Sequence, residues 1–144
     1  MNKKTVRDID LKGKRVLMRV DFNVPMENGK VTDDKRIKAA IPTIKYVLDE
    51  GAASLLLMSH LGRPKGGFDP EFSLKAAGDV LAGHLGIPVL MAPDCVGPEV
   101  EEMLRTLKPG GIIMLENTRF HPDEEKNDLN LAKQMAKLGD VFVN

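Results

Sequence analysis

Cysteine is almost missing from this chain. Cys95 stands alone in 144 residues, so no disulfide can close within the chain, and a reducing cytoplasm is the expected setting. Tryptophan is absent, with one tyrosine and five phenylalanines. Nor is there a dense run of Lys and Arg. Both absences count against nucleic-acid binding, which needs a basic stripe and aromatic platforms. No apolar stretch approaches the roughly 20 residues that a membrane span requires. Met1–Asp8 lacks the apolar segment of a secretory signal. The three histidines and Cys95 show no metal-ligand spacing, so no metal is expected. Neither a Gly-x-x-x-x-Gly-Lys-Ser/Thr loop nor a Gly-x-Gly-x-x-Gly fingerprint occurs, and no Ser–His–Asp order is convincing.

What is present is a soluble, globular composition, 42% apolar and 29% charged, sized for one domain. Its charge is neutral in sum but uneven. Residues 1–67 hold 14 Lys and Arg against 8 Asp and Glu, and residues 68–144 hold 7 against 13. The basic half suits a small anion better than a polymer.

Five short apolar runs read as strands: Arg15–Val20, Ser54–Met58, Val89–Met91, Gly111–Leu115 and Asp140–Val143. Helical spacing fills the gaps. Ile37, Ile41, Ile44 and Leu48 form one stripe, begun by Asp33-Asp34, stopped by Gly51 and interrupted or kinked at Pro42. A second helix, capped by Ser73, carries Ala77, Leu81 and Leu85. A third spans Gly97 to Leu107 and a fourth Leu129 to Leu138. Strand–helix alternation of this kind predicts an α/β fold: a doubly wound, Rossmann-like three-layer sandwich with a mostly parallel sheet. The chain ends on a predicted strand, where α/β proteins build their loops, which points to one domain of a longer protein.

The candidate chemistry clusters where strands end. Alternation puts Arg19, Asp21 and Asn23 on one side of the first strand's exit, and Val20, Phe22 and Val24 on the other. Alone, this pattern fits an ion pair and an Asx turn as well as a ligand site. After the second strand comes Ser59-His60-Leu61-Gly62-Arg63-Pro64-Lys65-Gly66-Gly67. After the fourth comes Glu116-Asn117-Thr118-Arg119-Phe120-His121-Pro122. Arg36 opens the first helix, where a cation opposes the local dipole. Arginine pairs bidentately with phosphate or carboxylate, and glycines let the main chain approach an anion. Each charge-assisted hydrogen bond contributes about 1.5–3 kcal/mol. Three or four arginines on one dianion therefore suffice for roughly micromolar binding. His84 reads as a helix C-terminal residue without a site role, and Cys95 as a half-buried structural thiol.

Val16-Leu17-Met18-Arg19-Val20-Asp21-Phe22-Asn23-Val24-Pro25 resembles the signature of the phosphoglycerate kinase family. Arg36-Ile37-Lys38-Ala39-Ala40, Met58-Ser59-His60-Leu61-Gly62-Arg63-Pro64, Ala92-Pro93-Asp94-Cys95-Val96-Gly97 and Leu115-Glu116-Asn117-Thr118-Arg119-Phe120-His121 follow in the family's order. The resemblance implies residues 1–144 of a phosphoglycerate-binding amino-terminal domain, incomplete at its C-terminus, with the nucleotide-binding domain absent from this chain. It implies reversible phosphoryl transfer between 1,3-bisphosphoglycerate and ADP, giving 3-phosphoglycerate and ATP in glycolysis, by a cytoplasmic enzyme monomeric in complete form. Magnesium with ADP or ATP would serve the complete enzyme, with none bound by this part, which is expected to be inactive alone. Asp21 and Asn23 would hold the glycerate oxygens. Arg36 would contact the reacting carboxylate as the catalytic residue, and His60, Arg63 and Arg119 would grip the distal phosphate. Arg19 would orient Asp21 or add to the basic patch. The alternative is a non-catalytic module that binds small phosphorylated anions.

Overall fold

A computed structural model of the chain describes residues 10–62, 69–120, 133 and 136–143. In chain order the elements are β1 (Arg15–Arg19), β2 (Met26–Glu27), β3 (Lys30–Val31), α1 (Lys35–Asp49), β4 (Ser54–Met58), α2 (Lys75–Leu85), β5 (Val89–Met91), α3 (Pro98–Thr106), β6 (Gly111–Met114) and β7 (Val141–Val143). Short 3-10 turns lie at Pro70–Phe72 and Thr118–Phe120.

Five of the strands form one sheet in the order β5-β6-β4-β1-β7, with every pairing parallel. The central strands read as unbroken apolar runs because both faces of the sheet are covered. Period-two alternation sorts their side chains into two cores. Val16 and Met18, Leu55 and Leu57, Ile112 and Met114 pack with Ile37, Ile44 and Val47 of α1 and with Ala77 and Leu81 of α2. Leu17, Leu56, Ile113 and Leu115 pack on the other face with Val100 of α3, Cys95 and Leu138. The fold is thus the expected α/β sandwich.

Several local expectations shift. The buried stripe of α1 is Ile37, Ile44 and Val47, with Ile41 and Leu48 only partly buried. The helix runs through Pro42 as one element. The N-cap of α2 is Leu74, not Ser73, whose Oγ accepts the Lys75 N–H at 3.2 Å from just outside the helix. Cys95 is fully buried, not half-buried. The fourth predicted helix lies outside the described residues except at its end.

Between β1 and α1 the chain makes a hairpin that the strand-by-strand reading omits. Met26 pairs with Val31 and Glu27 with Lys30. The intervening Asn28 and Gly29 both have positive φ, 53° and 75°. A two-residue loop of this hand matches the twist of the flanking strands, and Asn-Gly is its preferred sequence.

The β1–β7 edge is tied by charge. Arg15 donates its backbone N–H to Asp140 Oδ2 at 3.0 Å and Nη2 to Asp140 Oδ1 at 3.0 Å. Asp140 returns its N–H to the Arg15 carbonyl at 2.7 Å. The Arg15 side chain, then its backbone N–H, hold the Asp140 carboxyl below the usual carboxylate range. A depressed folded-state pKa gives stabilisation that is complete above the unfolded value of about 4. It is lost as pH falls through the folded value. Both side chains are partly exposed, so the effect is small. Asp140→Asn is expected to lower Tm at pH 7, the gap to the parent closing as the medium is acidified below about pH 4. A gap of constant size from pH 7 to pH 2 would contradict this.

Candidate functional site

The sheet order makes β6, β4 and β1 adjacent, so the loops leaving their carboxyl ends lie side by side. Ladder bonds continue past the strands: Val20 N–H donates to the Met58 carbonyl and Leu115 N–H to the Leu57 carbonyl, both at 2.9 Å. Crevices at the carboxyl ends of α/β sheets are where ligands bind.

Buried polar side chains stitch these loops together. Ser59 Oγ accepts the Phe22 N–H at 3.0 Å and donates to the His60 carbonyl at 3.0 Å. Thr118 donates its N–H to the Ser59 carbonyl at 3.1 Å. Glu116, 4% exposed, accepts the Leu74 N–H at 2.8 Å and the Ser73 hydroxyl at 2.7 Å. It places a carboxylate at the N-terminus of α2, where the helix dipole favours negative charge.

On this frame sit the polar groups that the strand ends predict. Alternation holds beyond β1: Val20, Phe22 and Val24 are buried, while Arg19 and Asp21 are exposed and Asn23 is half-buried. Asp21 Oδ1 accepts the Asn23 N–H at 3.2 Å, an Asx turn. The same oxygen accepts Arg36 Nη1 at 3.2 Å. Arg36 Nη1 also donates to the Asn23 carbonyl at 2.8 Å. With half of each side chain in solvent, this ion pair adds little stability. Its consequence is positional: it aims Arg36 from α1 at the β1 exit.

Gly62 is the meeting point of the three loops. Its N–H donates to Asn23 Oδ1 at 2.9 Å, and its carbonyl accepts Arg119 Nη1 at 3.2 Å. A φ of 60° and a Phe72 ring lying 2.6 Å from where a Cβ would project leave room for glycine alone. Asp21, Asn23, Arg36 and Arg119 are therefore joined through Gly62 and its partners. His60 is half-buried in the same loop. Arg63 and His121 lie outside the described residues.

The start of α1 has a second tie. His84 Nε2 lies 2.7 Å from Asp34 Oδ2. His84, then Lys38, hold the Asp34 carboxyl below the ordinary carboxylate value. His84 thus links two helices, a partner that sequence spacing does not reveal. An apolar cleft of about 500 Å³ lined by Ile87, Leu90, Met103 and Leu107 opens at the amino ends of β5 and β6. Lys108 is the one cation among its lining residues. No group of three or more His, Cys, Asp or Glu gathers among the described residues, and no described helix is long and apolar enough to cross a membrane.

Comparison with known proteins decides the family. The family model described as phosphoglycerate kinase matches residues 6–144. The phosphoglycerate kinases of Fervidobacterium nodosum and Chloroherpeton thalassium are each 59% identical over the whole chain, which spans 36% of their length. The solved structure of phosphoglycerate kinase from Coxiella burnetii superposes with a TM-score of 0.81 at 39% identity, over 96% of this chain and 34% of that one. The enzyme from Pyrococcus horikoshii gives 0.84 at 31% identity, over 97% and 36%. The chain belongs to the phosphoglycerate kinase family. It corresponds to the amino-terminal domain of a phosphoglycerate kinase.

Within this phosphoglycerate kinase domain the residues that sequence reasoning left without a role are Ser59, Glu116 and Asn117. Each stood within a quoted motif, but burial alone distinguishes a frame residue from a ligand contact. Gly62→Ala is expected to destabilise the fold by at least about 1–2 kcal/mol from the left-handed backbone alone. Displacement of Phe72 adds to that cost. Denaturant melts of the two proteins check it; equal midpoints would mean that the loop relaxes freely.

Proposed function

We propose that this chain supplies the 3-phosphoglycerate site of a phosphoglycerate kinase, which transfers a phosphoryl group reversibly between 1,3-bisphosphoglycerate and ADP. One observation carries the reading: Gly62 joins Asn23 to Arg119, while Arg36 is held on Asp21 and Asn23. A small dianion lying along that line meets a cation at each end and amide and carboxylate groups between.

In this reading Asp21 and Asn23 orient the glycerate oxygens. Arg36 lies against the carboxylate that becomes the acyl phosphate, where a guanidinium neutralises charge developing on the reacting oxygens. Arg119, with His60 and Arg63, grips the distal phosphate. Fixing both ends of the substrate converts encounter into orientation, the larger part of phosphoryl-transfer catalysis. Magnesium with ADP or ATP is carried by a second, nucleotide-binding domain of the complete enzyme, and residues 1–144 by themselves turn nothing over. The complete enzyme is a cytoplasmic monomer. A coupled assay with magnesium-ADP tests the reading: the complete enzyme should turn over and residues 1–144 alone should not. A complete protein that binds 3-phosphoglycerate without turnover would instead be a non-catalytic module for phosphorylated anions.

Arg36→Ala in the complete enzyme is expected to lower kcat by about 10²–10³. Because Arg36 is half-exposed, Tm should move by only a few degrees. Unchanged kcat, or loss of folding, would make Arg36 structural.

A further inference from the structure

Asn117 is 1% exposed, yet its side chain is fully engaged. Nδ2 donates to the Leu61 carbonyl at 2.7 Å and to the Phe72 carbonyl at 3.0 Å. Oδ1 accepts the Arg119 N–H at 3.0 Å. Two carbonyls on one side and an N–H on the other fix the amide's orientation, because a flipped amide would set its oxygen against both carbonyls.

All three bonds end on loops, not on the sheet. Leu61 immediately precedes Gly62. Phe72 carries the ring that lies where a Cβ on Gly62 would project. Arg119 reaches back from its own turn to the Gly62 carbonyl. Asn117 therefore fixes both the backbone from which Arg119 extends and the loop that its guanidinium meets. A leucine of similar volume would fill the space and leave three backbone groups, one buried and two partly buried, without this partner, a costly outcome for enclosed groups.

We propose that Asn117 is a positioning residue of the anion site, setting the direction of the Arg119 guanidinium toward the distal phosphate. This rests on the phosphoglycerate reading above, and adds a residue that touches no substrate atom. Asn117→Asp keeps the shape and the Oδ1 acceptor. It replaces the donor by a second acceptor facing two carbonyls, next to the buried Glu116.

The test is a titration of the chain and its Asn117→Asp variant with 3-phosphoglycerate and with inorganic phosphate. The resonances followed are the Arg36 amide and the Arg119 Nε–H. Wild type should saturate at both with 3-phosphoglycerate. The folded variant should bind it about tenfold more weakly, with an Arg36 response retained and the Arg119 response to inorganic phosphate lost. Equal affinity in the two proteins, or equal weakening at Arg36 and Arg119, would overturn the positioning role and leave the substrate reading standing. A silent wild type would overturn the substrate reading and this inference with it. Where the variant does not fold, wild type decides. The Asn117 Nδ2 protons should shift with inorganic phosphate at the same midpoint as Arg119 Nε–H, and stationary protons would overturn the inference.

Discussion

Gly62 is held at both of its backbone groups, and the candidate site depends on that grip. Its N–H is committed to Asn23 and its carbonyl to Arg119, so the exits of β1, β4 and β6 cannot move independently. The grip needs a left-handed backbone and the absence of a Cβ, because the Phe72 ring occupies the space a side chain would take. One small residue thereby converts three neighbouring loops into a single polar surface. The adjacency itself comes from the parallel order β6-β4-β1, in which helical connections carry the chain back so that all three strands end at the same edge of the sheet.

Electrostatics at this surface is a matter of aim more than of stability. Arg36 sits on an exposed ion pair with Asp21 that contributes little to folding. The buried polar groups have a different task. Ser59, Glu116 and Asn117 are each almost fully enclosed, and each bonds backbone groups of a segment that carries a candidate ligand contact or of one packed against it. In a low-dielectric setting such bonds are costly to break, which makes them a rigid frame. An exposed Arg36 and a half-buried Arg119 on a buried frame are arranged before an anion arrives, so little ordering cost remains for binding.

Much of this was legible in the chain itself. All five sheet strands announced themselves as apolar runs, because a parallel sheet covered on both faces needs no polar alternation. The strand-exit residues Asp21, Asn23, His60 and Arg119 stood out because polar groups break those runs. Arg36 stood out because it opposes its helix dipole. The β2–β3 hairpin was signalled by Asn28-Gly29, but its strands are two residues each and too short for a periodic pattern. Val47 joined the α1 core in place of Leu48 because packing against α2 and the sheet, not spacing alone, selects the buried face. The His84–Asp34 tie and the roles of Glu116 and Asn117 depend on pairs 50 and about 40–60 residues apart, which no local pattern encodes. The Asx turn and ion pair at Asp21 are both real, and the same contacts that a plain strand exit would make also aim Arg36.

The central claim is that the exits of β1, β4 and β6 form one anion site. A crystal structure of the protein with 3-phosphoglycerate tests it most directly. The account predicts the ligand's phosphate within hydrogen-bond distance of Arg119 and its carboxylate and hydroxyl beside Arg36, Asp21 and Asn23, with Gly62 keeping both of its backbone bonds. A ligand held elsewhere on the domain, or one that splits Asn23 from Gly62 in order to bind, would contradict it.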